Sequence, residues 1–196
     1  MDDMTLPIVI FVSFPEAILV GLLGMLLLGI RPTIKQIVII GLAQAGFSFV
    51  IRSLPIPFGI HTLIQLFTFS LLIYFIISIP YMITLITVFL GISIYGIVET
   101  ISIPLLLNLT DLSLQSVLNN QWLRIAFFMP EATSLILCIY VIKKFNITLP
   151  DKILNYVGAK KRNKGDIPLV GVFLIQTYLF TLLIIINFVA NNYGFE

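Results

Sequence analysis

The chain has 196 residues, 59% hydrophobic and 10% charged, with a mean hydropathy of +1.12. Soluble domains carry about 25% charged residues, so this chain cannot cover a globular surface with polar groups. That excludes an ordinary cytosolic enzyme, a disordered regulator and a nucleic-acid-binding domain. The net charge of +2 says nothing until the charges are placed. A single cysteine excludes a disulfide framework and a thiolate zinc site, and a single histidine excludes most histidine-based metal sites. Neither metal nor cofactor is expected. The expected class is all-α: one integral membrane domain over residues 1–196, a polytopic bundle of about six transmembrane helices in a lipid bilayer.

Met1-Asp2-Asp3-Met4 is acidic and lacks the basic start of a cleavable signal peptide, so the first apolar segment is expected to be retained. A helix needs about 20 mainly apolar residues to cross the ~30 Å hydrocarbon core. Six stretches qualify: residues 8–30, 34–51, 62–79, 81–106, 123–142 and 167–188. Runs such as Leu182-Leu183-Ile184-Ile185-Ile186 lack the polar–apolar alternation of outer-membrane strands. The turn Ser78-Ile79-Pro80 is uncharged and tight, which leaves open a re-entrant hairpin in place of spans three and four.

The basic residues set the orientation. Arg31 and Lys35 lie between spans one and two; Lys143, Lys144, Lys152, Lys160, Lys161, Arg162 and Lys164 lie between spans five and six. These nine share one side, against Arg52 and Arg124 on the other. The positive-inside rule then puts both termini outside a cell membrane and the loop 143–166 in the cytoplasm. Within that loop, Pro150 and Gly158 bracket a short interfacial helix, with Lys160, Lys161, Arg162 and Lys164 facing anionic headgroups or a partner protein. The plainer alternative is a basic loop that only sets topology. On the outer side, residues 111–120 carry Leu112, Leu114, Val117 and Leu118, with Trp122 where an interfacial anchor belongs.

Three carboxylates fall inside spans: Glu16, Glu99 and Glu131. An ionised acid at the membrane centre costs about 2.5–3.5 kcal/mol on insertion scales, so each needs a partner, a cavity or a proton. Counting from the span ends at 1.5 Å per residue puts all three roughly 10–12 Å below the outer boundary. Two share their surroundings: Phe14-Pro15-Glu16-Ala17 and Met129-Pro130-Glu131-Ala132. Each proline should free the carbonyl four residues earlier, Phe11 or Ala126, and bend its helix.

The cations that could answer these acids lie on the same side. Arg52 ends span two, Arg124 begins span five, and the proline- and glycine-rich segment 52–61 presents His61 near the mouth of the bundle. Gln44 and Gln65 add neutral hydrogen-bonding groups. Glu16, Arg52, His61, Glu99, Arg124 and Glu131 therefore define an expected outward-facing polar pocket that binds a ligand. The alternative is that the acids pair with these cations only to lock helix positions.

Catalysis finds no support. Cys138 lies fifteen residues into span five, about 20 Å from the level of His61, too far for a thiol–imidazole pair. Cys138 reads as a small apolar residue. No phosphate-binding glycine loop, HExxH pair or Ser-His-Asp arrangement occurs. Gly21 and Gly24 have the spacing that lets helices approach closely.

Ser13-Phe14-Pro15-Glu16-Ala17, Gly29-Ile30-Arg31-Pro32 and Ile51-Arg52-Ser53-Leu54-Pro55-Ile56-Pro57-Phe58-Gly59-Ile60-His61-Thr62 resemble the membrane-embedded N-terminal region of Gram-positive sensor histidine kinases. That group includes peptide-pheromone receptors of quorum sensing. The likeness covers mainly residues 6–63, with weaker echoes at Glu99 and at Phe128-Met129-Pro130-Glu131. It implies a bacterial bundle that senses an external or membrane-borne signal. No phospho-accepting histidine, ATP-binding domain or output domain accompanies it, so the resemblance points to a stand-alone relative acting through a cytosolic or membrane partner, or through a second copy of itself. Two other functions fit the same features. One is a small permease or the substrate-binding membrane subunit of a transporter; the other is an assembly subunit whose acids pair with another protein's cations.

Overall fold

The computed structural model describes residues 5–53 and 60–149, all within one compact unit, Met1–Ala159. The expected sixth span, the interfacial helix after Pro150, and Lys152, Lys160, Lys161, Arg162 and Lys164 lie outside the described residues, as does the side chain of His61. Every described element is helical: α1 (Leu6–Ile8), a π-turn (Val9–Ser13), α2 (Phe14–Leu27), α3 (Ile34–Ser53), α4 (Ile60–Ile77), α5 (Tyr81–Thr110), α6 (Leu114–Asn119) and α7 (Gln121–Phe145). The all-α expectation holds for them.

Four helical segments are long and apolar enough to cross a bilayer: Leu6–Leu27, Ile34–Arg52, Tyr81–Thr110 and Gln121–Phe145. The third expected span is apolar but shorter, Thr62–Ile77. Its end is set locally. Ser78 takes a left-handed conformation (φ 60) and Pro80 caps α5, and a proline there cannot extend the preceding helix. With 30 residues, α5 is about 45 Å long at 1.5 Å per residue. It can cross alone, without serving as half of a re-entrant hairpin.

Helix α2 is the hub, packing on α3, α5 and α7. It meets α5 backbone to backbone. A Cβ at Gly24 would collide with the carbonyl oxygen of Thr87, and one at Gly91 with that of Val20. The pairs run in opposite directions along the two helices, so α2 and α5 are antiparallel.

With α7 the relation is parallel, and hydrogen bonds hold both ends. At one end Thr5 Oγ1 donates to Gln121 Oε1 (2.8 Å). At the other, Arg31 donates to Asn146 Oδ1 (3.3 Å) and the Leu149 N–H to the Leu27 carbonyl (2.8 Å). Between them Leu23, Leu26, Leu135, Ile139 and Ile142 form a buried cluster, with Cys138 packed against it. That is the apolar role expected for the cysteine.

Large apolar side chains face outward on α3, α4, α5 and α7, among them Ile39, Phe47, Phe75, Ile97, Ile101 and Leu137. In water such an array would be an aggregation hazard, whereas in lipid it is the solvated face. Of the nine basic residues expected on one side, four are described. Arg31, Lys35, Lys143 and Lys144 fall at the Leu27 end of α2, and Arg52 and Arg124 at its Thr5 end. The short helix α6 begins with the Ser116 N–H donating to Ser113 Oγ (3.2 Å). It buries Val117 and leaves Leu114, Leu118 and the nearby Trp122 exposed, as a segment lying along an interface would.

Candidate functional site

The acids enter the site through the local chemistry of α2. Pro15 has no N–H to give, and the π-turn before it sends the Phe14 N–H to the Val9 carbonyl, five residues back. Two carbonyls, Ile10 and Phe11, thus lose their regular helical donors. The sequence foresaw only Phe11. A π-turn inserts one residue and rotates everything before it, a distortion frequent at functional sites.

Past the turn, Glu16 heads the face of α2 that runs on through Leu19, Leu23 and Leu26 toward α7. On α7, Glu131 heads the matching face of Leu135, Ile139 and Ile142. Unlike Pro15, Pro130 sits inside a continuous α-helix. The two short motifs share a sequence and not a backbone.

Register follows from the end-to-end bonds. Their partners are 116 and 115 residues apart, and Glu16 and Glu131 are also 115 apart, so the two acids stand at one level. The α2–α5 contacts place Tyr95 opposite Glu16 by the same counting, and Glu99 one turn, about 6 Å, nearer the Thr5 end. The charges of Arg52 and Glu99 reach Glu16, and those of Glu99 and Glu16 reach Glu131. The result is a polar layer, Glu16, Tyr95, Glu99 and Glu131, capping the apolar cluster beneath it.

Burial differs within the layer. Glu131 is 4% exposed, whereas Glu16 and Glu99 are half-buried. No described residue hydrogen-bonds to the Glu131 carboxylate. Arg52 is half-buried, and its buried Nε has no hydrogen-bond partner among the described residues. Among the described residues, no group of three or more His, Cys, Asp or Glu is close enough to hold a metal ion. The three carboxylates share a field without converging on one point.

Comparison of the chain with protein-family models, with characterised proteins and with solved structures gives no match.

Not every expected residue joins the layer. Arg124, in the first turn of α7, is not among the charges reaching the three acids. The backbone of His61 is in the first turn of α4, and its side chain lies outside the described residues. Gln44 donates from Nε2 to the Gln65 carbonyl (3.3 Å), and Gln65 from Nε2 to Ser48 Oγ (3.0 Å). These bonds tie α3 to α4. Helix α3 meets α2 at Phe14 and Ile18, each two residues from Glu16 and so on the opposite side of the helix. The glutamines therefore form a separate neutral seam. Tyr95 was missed in the sequence, although it shares a helix face with Glu99 four residues later.

Proposed function

We propose that this is a non-enzymatic, sensory or regulatory membrane protein. Its layer of Glu16, Glu99 and Glu131 with Arg52 binds a small ligand or peptide end from outside, and the change passes to a partner at the cytoplasmic side. One observation carries the reading: Glu16 and Glu131 stand at one level on two parallel helices that are hydrogen-bonded at both ends. Ionisable groups inside a membrane mark functional sites by default. The bundle also offers a route to the other side. Helix α2 carries Glu16 near one end, and at the other its Leu27 carbonyl accepts from Leu149, within the basic loop 143–166.

A ligand moves such a bundle only by binding its two conformations unequally. The π-turn and Pro15 supply the deformable element next to the acids. The resemblance to kinase sensor regions agrees with this reading, with both termini outside and a separate partner supplying the output. Accumulation of substrate in vesicles would mark a transporter instead.

The test is thermal unfolding in native lipids, comparing wild type with Glu16→Gln, Glu99→Gln and Glu131→Gln across cations, amino acids, vitamins and short cyclic peptides. Ligand stabilisation abolished by the Gln changes, with baseline stability retained, is the expected result. Baseline collapse with no ligand response would make the acids structural.

A further inference from the structure

We propose that the C-terminal foot of α7 binds an anionic phospholipid, with the headgroup phosphate on Lys143, Lys144 and Arg31 and an acyl chain along the exposed stripe of α7 that leads to them. Charge is divided sharply along the bundle. At the Leu27 end the described residues include four cations, Arg31, Lys35, Lys143 and Lys144, and no acid. The backbone gathers three of the four. Helix α2 stops in a left-handed turn at Gly29 (φ 72), where the Ile30 N–H donates to the Met25 carbonyl (2.8 Å) and the Gly29 N–H to that of Leu26 (2.9 Å). Helix α7 stops in the same way at Asn146, with the Ile147 N–H on the Ile142 carbonyl (3.0 Å). Such bonds fix the chain just past a helix end, and Arg31 is held there on Asn146 Oδ1. Lys143 precedes Asn146 by three residues and shares its side of α7, so Arg31 lies beside it.

Lys144 points to a lipid over a soluble anion. It follows Tyr140 by one turn, and its Nζ lies 5.7 Å from the centre of the Tyr140 ring and 5.8 Å from that of Phe145. These three side chains are exposed, as are Leu137 and Val141 further up the helix. The surface is thus apolar along α7 and cationic at its foot. A soluble anion would use the cations and leave the apolar stripe bare. A zwitterionic lipid would cover the stripe and bring no net charge to the cations. An anionic phospholipid answers both. Orientation alone asks only for positive charge on this side of the membrane; it does not ask for cations gathered at one helix end beside exposed rings.

The experiment uses the full chain in detergent, titrated with dioleoyl-phosphatidylglycerol or dioleoyl-phosphatidylcholine, with bound lipid counted by native mass spectrometry. A basic residue near an anionic lipid surface is worth about fivefold in affinity. Phosphatidylglycerol should therefore bind roughly 100-fold more tightly than phosphatidylcholine, and Lys143→Gln combined with Lys144→Gln should cut that preference to about fivefold. Both lysines are exposed, so the double variant should unfold at the wild-type temperature in phosphatidylcholine nanodiscs and lose only the stabilisation that phosphatidylglycerol gives. Arg124→Gln, at the other end of the bundle, should change nothing. Replacing Lys160, Lys161, Arg162 and Lys164 together by Gln should leave most of the preference in place. The inference is overturned if wild type shows no preference, if the double variant keeps it, or if the four-residue change alone abolishes it. Displacement of phosphatidylglycerol by equimolar glycerol phosphate would also overturn it, by making the site one for a soluble anion.

Discussion

Glu131 stands level with Glu16 because α2 and α7 run parallel and are tied at both ends, Thr5 to Gln121 and Arg31 to Asn146. Each acid sits on a core-facing stripe, so each belongs to the interior by position and to water by chemistry. Glu131 is the more deeply buried and lacks a hydrogen-bond donor among the described residues. Replacing buried charged groups by well-packed apolar residues of similar volume is often neutral or stabilising. Glu131→Met should therefore hold or raise the unfolding midpoint in detergent while abolishing any ligand response. A loss of stability would mean that the carboxylate already has a partner.

The crossing of α2 and α5 makes a sharper prediction. Gly24 lies against the Thr87 carbonyl and Gly91 against that of Val20, so an added methyl at either position must push two backbones apart. Gly24→Ala and Gly91→Ala should each cost about 1–3 kcal/mol through overpacking. Gly46 and Gly96 have open space where a Cβ would go, and alanine there should be neutral or slightly stabilising, since alanine loses less entropy in a helix. Equal effects at all four positions would show that the close crossing is not what holds these helices.

What the sequence made legible follows from which forces dominate. Four of the six expected spans could be read because lipid allows only helices or closed barrels, and apolar run length is then decisive. The parallel course of spans one and five, and the common level of Glu16 and Glu131, followed from counting residues along them. Glu99, expected at the same level, lies one turn further out, because a helix's level depends on where it crosses its neighbour and not on where its apolar run ends. Gly24 was recognisable as a close-packing residue, but its partner Thr87 was not, since a carbonyl contact leaves no mark in side-chain identity. The π-turn escaped for the same reason: Val9–Ser13 contains nothing that distinguishes an extra residue from a regular turn. Gln44 and Gln65 were grouped with the acids by depth alone. Depth does not say which side of α2 a neighbour occupies.

The orientation has a direct test. Trp122 and Thr5 lie at one end of the bundle, and Lys35 and Lys144 at the other. Trp122 and Lys144 are both exposed. With Cys138→Ser as background, Trp122→Cys should react with a membrane-impermeant maleimide added outside intact cells. Lys35→Cys and Lys144→Cys should react only after permeabilisation. The reverse pattern would invert the bundle and put the acidic layer near the cytoplasmic face.

The junction beneath α7 supplies the last prediction. Asn146 ends that helix in a left-handed conformation (φ 47), and its side chain accepts from Arg31. Glycine adopts that backbone freely, asparagine tolerates it, and a β-branched residue resists it. Asn146→Gly removes only an exposed hydrogen bond and should shift stability by less than about 1 kcal/mol. Asn146→Val should cost about 1–2 kcal/mol more, because the turn carrying Leu149 back to the Leu27 carbonyl would be strained. Unfolding midpoints of the two variants separate the backbone contribution from the side-chain one. If valine proves as mild as glycine, the return of the chain to α2 does not depend on the turn at Asn146, and Leu27–Leu149 would have to hold the two helices together without it.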